Sequence, residues 1–386
     1  MSSVAAPVDI RNWEPVIGLE VHAQLKTETK LFCGCETSFG APPNTKVCPV
    51  CLGLPGSLPV MNEKAFQLAL KAALALNCSI ARFTKWDRKN YFYPDLPKNY
   101  QISQYDLPFC DGGAVRIDAE GGERDVGLTR IHLEEDAGKN THGEGASLVD
   151  LNRAGTPLLE IVSRPDLPSA DEAHAFLTEL KAILLYLDVS DCNMEEGSLR
   201  CDANVSVRPR GQPALGTKVE VKNMNSFKAV RAALVFEADR QAGVLERGER
   251  VVQETRLWDE DRGKTASMRS KEEAEDYRYF PDPDLPPLRT TPEELEALRA
   301  ELPELPRARR ERYVRSLGLS AYDAGVLAGD KAISEYFEAV AAATPDAKGA
   351  ANWVTNRVLA HLNDRKIPIS RFPVPPAHLA QLIELL

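Results

Sequence analysis

Apolar and polar residues alternate strictly over residues 18–25, a pattern typical of a half-buried β-strand. The residues at positions 19, 21, 23 and 25 form an apolar face, and the opposite face carries Glu20, His22 and Gln24. A carboxylate and an imidazole two positions apart on one strand face can contact the same metal ion or the same proton in transfer. We therefore predict that Glu20 and His22 belong to a functional site. An ordinary solvated strand face is the alternative.

The same alternation recurs in two later segments, at residues 199–208 and 218–222. Each segment has one apolar face, and the other face carries charged residues that include Arg200, Asp202 and Lys222. Two-sided strands of this kind predict a sheet with one buried face and one polar face.

Helical periodicity predicts three helices between and after these strands, over residues 62–76, 169–187 and 227–242. We expect the last of them to end at Gly243, because glycine is a common helix stop. Helices that cover the apolar strand faces leave the charged faces to line one open concavity. The predicted fold class is therefore α+β, and the alternative is a plain antiparallel sheet with a solvated face.

Glu160 is the single charged residue in the apolar run 158–162. A carboxylate there must lie at a strand end, be paired, or bind a metal ion, because burying it alone is costly. Carboxylates in the concavity are suitable ligands for magnesium, and arginine or lysine beside them can neutralise phosphates. This combination favours phosphoryl transfer from a nucleotide, without the Gly-rich Walker loop of P-loop enzymes.

Two closely spaced cysteine pairs follow the first strand, Cys33 with Cys35 and Cys48 with Cys51. Two such pairs joined by a loop can present four thiolates at tetrahedral corners, which predicts a structural zinc site within residues 33–51. A disulfide pair is a weaker interpretation, because nothing marks the chain as secreted. A redox motif is weaker still, because Cys48 does not open a helix.

The composition limits the class of protein. The chain has 386 residues, enough for two or three domains, and it carries a net charge of −10. That charge argues against a protein that coats nucleic acid without specificity, although a local basic patch for one structured RNA remains compatible with it. No secretory signal or membrane span is recognisable, which predicts a cytoplasmic location with reduced thiols.

A proline-rich segment at 281–287 predicts a boundary between residues 1–288 and a helical domain over residues 289–386. The helical part contains a basic cluster usable for RNA or a partner, for which a solvated helix face is the alternative. The cluster consists of Arg307, Arg309, Arg310, Arg312 and Arg315. The sequence stops at Leu386 within an apolar helical pattern, so we expect that the natural chain continues or was cut there.

Several motifs together resemble the B subunit of the tRNA-dependent aspartyl/glutamyl amidotransferases. They include the strand at 17–25, the two cysteine pairs, the aromatic segment 88–101, and residues 150–160, 196–202 and 277–282. The resemblance implies a cradle like the glutamine synthetase/guanido kinase fold. It also implies a ligase that uses ATP and magnesium to phosphorylate the side-chain carboxylate of misacylated Glu-tRNA(Gln) or Asp-tRNA(Asn), and then amidates it.

The resemblance also implies roles for individual residues. It places Glu20, His22, Glu135 and Glu160 at the magnesium and catalytic centre, with Asp202 close by. It implies that the cofactor-binding residues are Arg200, Lys222 and Arg278. Zinc on the cysteines would be structural. The implied partners are the amidase-type and small subunits of a heterotrimer, the misacylated tRNA and the cognate aminoacyl-tRNA synthetase, with no membrane.

Two other functional classes stay open from the residues alone. One is a zinc-stabilised scaffold that binds RNA or a partner without catalysis, and the other is a free-standing ATP-dependent ligase. The residues also predict no glutaminase in this chain, because none of its serines lies in a Gly-X-Ser-X-Gly elbow.

Overall fold

The computed structural model describes residues 12–268 and 277–385. The strands, in chain order, are β1 (Trp13–Gln24), β2 (Ser79–Ile80), β3 (Phe83–Thr84), β4 (Asp87–Asn90), β5 (Tyr100–Ser103), β6 (Cys110–Asp111), β7 (Ala114–Ala119), β8 (Gly122–Glu135), β9 (Lys139–Gly143), β10 (Ala146–Asp150), β11 (Pro157–Ser163), β12 (Leu199–Pro209), β13 (Val219–Lys222), β14 (Thr255–Asp259), β15 (Lys264–Ser267), β16 (Phe280–Pro281) and β17 (Leu288–Arg289).

The α-helices are α1 (Glu63–Ala75), α2 (Ala170–Tyr186), α3 (Phe227–Glu246), α4 (Pro292–Ala300), α5 (Pro306–Leu317), α6 (Ala321–Ala328), α7 (Lys331–Ala342), α8 (Ala347–Trp353), α9 (Leu359–Arg365) and α10 (Pro376–Glu384). A π-helical segment at Val354–Val358 joins α8 to α9. Among these described helices, none combines the length and the apolar character that a membrane-spanning helix needs.

Ten strands form one large sheet in the order β15-β14-β13-β12-β1-β11-β8-β6-β2, with β7 paired to β8. β1 lies inside this sheet and pairs antiparallel with β12 on one side and β11 on the other. Its apolar face is buried, since Leu19, Val21 and Ala23 are at most 1% exposed. α1 packs against β8 and α3 against β12. The predicted combination of a large sheet with covering helices is therefore confirmed, but the sheet is mixed rather than wholly antiparallel, because β13 and β14 pair in parallel.

Side chains cap the starts of two helices. The Asn62 side chain accepts a hydrogen bond from the Ala65 amide at the start of α1, and Ser169 does the same for Glu172 at the start of α2. The predicted stop at Gly243 is wrong, because α3 continues through it to Glu246. The glycine that takes a left-handed conformation after this helix is Gly248, with φ +75°.

Two compact units make up the structure. The first contains residues up to Lys181 together with Val189–Glu301, and the second contains Ala182–Asp188 together with Leu302–Leu386. The division after Glu301 differs from the predicted boundary after residue 288. β17 and α4 belong to the first unit because β17 pairs with β3 and α4 packs against α1.

The second unit is helical and has its own apolar core, in which Tyr313, Leu327, Phe337 and Val354 are fully buried. Ion pairs engage several arginines of the predicted basic cluster. Arg312 Nη2 lies 2.6 Å from Glu304 Oε2, and Arg309 Nε lies 3.3 Å from the same oxygen. Arg309 is only 8% exposed, so it is neither a solvated residue nor a ready contact for RNA phosphates.

Candidate catalytic centre and candidate zinc site

The sheet register brings one row of polar side chains together across four strands. Glu160 of β11 pairs with His22 of β1 on one side and with His132 of β8 on the other. Arg200 of β12 pairs with His22 from the opposite side. Directly opposed residues on neighbouring strands have Cβ atoms about 5 Å apart, so these side chains are in mutual reach.

Two histidines and three carboxylates form the resulting cluster, which we call the carboxylate–histidine cluster: Glu20, His22, His132, Glu134 and Glu160. His22 Nε2 lies 3.2 Å from Glu160 Oε2, 3.6 Å from Glu20 Oε1 and 3.8 Å from Glu134 Oε1. His132 Nε2 lies 3.5 Å from Glu134 Oε2 and 3.6 Å from Glu160 Oε2. Glu160 is therefore shared between both imidazoles.

The charges in this cluster depend on one another. Burial lowers the pKa of His22, but the hydrogen bond with Glu160 and the neighbouring carboxylates outweigh burial and raise the pKa to about 9. Burial raises the pKa of Glu160, but His132 and His22 outweigh it, and the resulting pKa is lowered. Burial and the charge of Glu160 raise the pKa of Glu20. The neighbouring carboxylates therefore favour the charged form of His22, and a bound cation would compete with its proton.

The ligand atoms fit a metal ion in two overlapping groups. Those of Glu20, His22 and Glu160 all lie within 4.8 Å of one another, and so do those of His132, Glu134 and Glu160. The carboxylate oxygens are the ligands that magnesium takes in proteins, and the imidazoles are more usual ligands for transition metals.

Glu135 lies outside the carboxylate–histidine cluster. Its side chain is ion-paired with Lys98 and accepts a hydrogen bond of 2.9 Å from the Ile102 amide. Successive residues of a strand point to opposite faces, so Glu134 and not its neighbour joins His22. His132 and Glu134 belong to the cluster but were not among the predicted site residues. Their spacing at i and i+2 is the sequence signal that could have found them, because Glu20 and His22 have the same spacing.

Two of the three predicted cofactor-binding cations, Lys222 and Arg200, lie beside this cluster, and each contacts a carboxylate. Lys222 Nζ lies 2.6 Å from Asp202 Oδ2, and Asp202 pairs with Glu20 across β1 and β12. Arg200 Nη2 lies 2.9 Å from Asp136 Oδ1. Arg278 precedes β16, and its guanidinium lies 6.0 Å from the centre of the Phe92 ring.

Aromatic side chains form a second feature near the cluster, which we call the aromatic surface: Tyr91, Phe92, Tyr93, Tyr105, Tyr277 and Tyr279. Tyr105 and Tyr279 stack with ring centres 4.1 Å apart, and Lys89 Nζ lies 4.7 Å from the Tyr277 ring. Phe92 is 70% exposed and Tyr93 57% exposed. Burial and then the charge of Glu134 raise the pKa of Tyr91 and Tyr279, so this surface lies within electrostatic reach of the cluster.

The four predicted zinc ligands converge. The sulfur atoms of Cys33, Cys35, Cys48 and Cys51 all lie within 4.8 Å of one another, and none is in a disulfide. The sulfurs of Cys48 and Cys51 are 3.9 Å apart, close to the edge of a tetrahedron with Zn–S bonds of about 2.3 Å. The hydrogen bond from Cys33, followed by the Cys48 amide and the charge of Lys30, lowers the pKa of Cys51 to about 4 despite its burial. This sulfur set fits zinc.

Comparison with known proteins gives a consistent result over both units. A family model described as the GatB/GatE catalytic domain matches residues 15–296, and a model described as a GatB domain matches residues 335–386. The B subunit of the aspartyl/glutamyl-tRNA(Asn/Gln) amidotransferase of Moorella thermoacetica is 60% identical over 377 residues, which cover 97% of this chain and 79% of that protein.

Relatives from other bacteria carry the same description. The protein of Carboxydothermus hydrogenoformans is 57% identical over 98% of this chain and 79% of its own length. That of Nostoc punctiforme is 55% identical over 96% of this chain and 78% of its own length. The chain therefore belongs to the B-subunit family of the aspartyl/glutamyl-tRNA(Asn/Gln) amidotransferases.

Proposed function

We propose that this chain activates the side-chain carboxylate of a misacylated tRNA with ATP and then transfers ammonia to it. The substrates would be Glu-tRNA(Gln), Asp-tRNA(Asn) or both, as the names of the relatives indicate. The carboxylate–histidine cluster on the polar face of the central strands carries this proposal. We also propose that the large sheet is a cradle of the glutamine synthetase/guanido kinase type.

The proposed reaction consists of two displacements. First, an oxygen of the substrate carboxylate attacks the γ-phosphorus of ATP and the bond to ADP breaks, which leaves an acyl phosphate. Second, the nitrogen of ammonia attacks the acyl carbon, inorganic phosphate leaves, and the nitrogen loses its surplus proton. The first displacement moves negative charge between oxygens, and the second builds it on the acyl oxygen and the leaving phosphate. Catalysis therefore depends on positioning and on positive charge near those oxygens.

The residues of this chain supply ligands and positive charge for that chemistry. Glu20, His22 and Glu160 would hold magnesium, with Glu134 and His132 in reach of the same carboxylate. Bound magnesium would offset phosphate charge. Lys222 and Arg200 are held beside the cluster by Asp202 and Asp136, and we propose these two cations as contacts for phosphate oxygens. We retain Glu135 and Arg278 as proposed site residues outside the cluster.

Zinc on the four cysteines is proposed as a structural ion. All four ligand positions are protein sulfurs, and a catalytic zinc site keeps one position open for water or substrate. We also propose a cytoplasmic setting, in which these thiols stay reduced.

The aromatic surface supports a nucleic-acid substrate. Single-stranded nucleic acid binds to exposed aromatic rings by base stacking, worth about 1–3 kcal/mol per base. The terminal bases of a tRNA are single-stranded, and the amino acid they carry must reach the carboxylate–histidine cluster. Tyr91 lies close enough to Glu134 for that charge to raise its pKa, and the exposed rings of Phe92 and Tyr93 follow it along the chain.

We expect the double variant Phe92→Ala, Tyr93→Ala to bind misacylated tRNA about tenfold more weakly, because two stacking rings are lost. Filter binding at fixed salt measures the effect. Tyr322→Ala, which removes a ring 78% exposed in the second unit, is the matched control. Unchanged tRNA affinity in the double variant would contradict the stacking role.

Ammonia must come from a partner in this proposal. The cysteines outside the zinc site are Cys78, Cys110, Cys192 and Cys201, and all are buried. Burial raises the pKa of Cys110 and Cys201, and it raises that of Cys192 to about 11. Buried thiols with raised pKa values make poor nucleophiles. We therefore propose the amidase-type subunit and the small subunit of a heterotrimer as partners, with the cognate aminoacyl-tRNA synthetase.

The experiment that tests this function supplies two nitrogen sources to the isolated chain. With ATP, magnesium, misacylated tRNA and high ammonium, we expect amidated aminoacyl-tRNA. With glutamine in place of ammonium, we expect none until the amidase partner is added. Product formed from glutamine by the chain alone would refute the assignment. Product formed from ammonium without ATP would refute the phosphorylation step.

A further inference from the structure

Lys30 is a fully buried lysine next to the candidate zinc site, with 0% exposure. Its Nζ donates to the carbonyl oxygens of Lys46 at 2.8 Å and Leu151 at 3.3 Å, and it lies 3.7 Å from the sulfur of Cys51. Burying an ammonium group without a counter-charge is costly. Of these three acceptors, only the sulfur can carry a full negative charge.

The cysteine cluster supplies more negative charge than one zinc ion neutralises. Four thiolates around Zn²⁺ leave two negative charges uncompensated. Cys51 is the buried member of the four, so its charge is the one least screened by solvent. The ammonium of Lys30 lies beside this sulfur and therefore offsets part of the excess.

The same lysine joins the cysteine loop to a second segment. Its backbone amide donates to the carbonyl of Cys35 at 2.9 Å, within the loop. Its side chain reaches Leu151, which lies in the turn between β10 and β11. A second hydrogen bond joins the same two segments, since Asn152 Oδ1 accepts from the Lys46 amide at 2.8 Å.

That turn is followed directly by β11, one of the strands of the carboxylate–histidine cluster. Gly155 has φ +87°, and a Cβ there would lie 3.4 Å from Lys30 Cδ and 3.7 Å from both Cys51 Cβ and Glu135 Oε2. One glycine thus separates the cysteine site from Glu135. The next strand, β11, carries Glu160.

We propose that Lys30 is a positioning residue, whose ammonium compensates the thiolates of the zinc site and holds the cysteine loop against the turn at residues 151–156. Zinc binding and the placement of this turn are then linked through one side chain. The inference rests on the zinc site proposed above, and zinc content of the wild-type protein tests that site separately.

The first test compares three variants of the full chain by their rate of zinc release to a chromogenic chelator. Lys30→Met keeps an unbranched side chain that is one atom shorter and removes its charge, Lys30→Arg keeps the charge, and Lys64→Met removes an exposed lysine as the control. We expect Lys30→Met to weaken zinc retention about 10- to 100-fold, the usual effect of losing a residue that supports metal ligands. Lys30→Arg should retain zinc better than Lys30→Met, and Lys64→Met should match the wild type.

The second test uses wild-type protein, so it does not depend on how the variants fold. Hydrogen exchange is measured with zinc bound and after its removal by chelation. We expect faster exchange at Leu31, whose amide donates to the Gly155 carbonyl, and at Lys46, whose amide donates to the Asn152 side chain. The internal control is the start of α3, where the Ala229 amide donates to the Ser226 hydroxyl.

The outcomes separate the possible failures. Wild-type protein without zinc would overturn the zinc site itself. Zinc-loaded wild type, with Lys30→Met holding zinc as firmly as Lys64→Met, would overturn the role of Lys30. Unchanged exchange at Leu31 and Lys46 after zinc removal would overturn the link to the turn. Each result is independent of ligase activity.

Discussion

Phosphate release that depends on misacylated tRNA should fall by about a thousandfold or more in His22→Ala and in Glu160→Ala, the scale of losing a principal electrostatic group in an active site. Glu160 Oε2 is the atom shared by His22 at 3.2 Å and His132 at 3.6 Å, so both groups of candidate metal ligands lose a member with it. Loss of His22 leaves Glu20, Glu134 and Glu160 as close carboxylates without their shared imidazole.

Binding of the tRNA should stay close to the wild-type value in both variants, because the cluster carries carboxylates and makes no favourable contact with phosphates by itself. Release of phosphate and filter binding of the tRNA therefore separate chemistry from recognition. Glu160→Gln keeps the shape of the side chain and shows whether lost activity reflects lost charge or lost packing.

Matched controls lie on the exposed hairpin of β9 and β10. His142→Ala removes an exposed imidazole, and Glu144→Gln removes an exposed carboxylate from the turn of that hairpin. Both should release phosphate like the wild type. Wild-type phosphate release in His22→Ala and Glu160→Ala would place the catalytic centre elsewhere on the chain.

Replacing Cys48 by serine should remove the zinc ion and a large part of the stability of the cysteine loop. The site holds residues 33–51 together, and this loop contacts the turn that precedes β11. Loss of a metal site can cost more than about 4 kcal/mol of unfolding free energy. Metal analysis should give about one zinc per chain in the wild type and almost none in Cys48→Ser. The thermal midpoint should fall, and dialysis of the wild type against a chelator should produce the same fall.

Cys78→Ala is the control for this change, because Cys78 is a buried thiol outside the four converging sulfurs. It should keep the zinc ion. Activity per folded molecule in Cys48→Ser should decline less than stability does, since a closed site takes no direct part in the chemistry. A variant that keeps its zinc, or wild-type protein in which the four thiols form disulfides, would contradict the assignment.

The pattern of residues was sufficient to predict which side chains share a strand face. Alternation put Glu20 with His22, and Arg200 with Asp202, because the period of a strand is two wherever it lies in the fold. The spacing of the four cysteines likewise predicted their convergence, because a short loop brings close pairs together without help from the rest of the chain.

Contacts between distant strands were decided only by the tertiary structure. Periodicity does not specify which strands are neighbours or their register, and a shift of one residue exchanges the faces. The register of β8 against β11 places His132 opposite Glu160, so Glu134 joins the cluster while Glu135 contacts Lys98. From the sequence, His132, Glu134 and Glu135 were simply a histidine and two acids in one strand.

Charge compensation was also decided by the tertiary structure. Arg309 and Arg312 are part of a basic run along the chain, yet Glu304 and Glu338 neutralise them in the folded unit. Lys30 carries no sequence signal that separates it from an ordinary surface lysine, and folding buries it beside a thiolate and two carbonyls. The reason is physical: sequence patterns report local periodicity, whereas burial and pairing of charges depend on which distant segments meet.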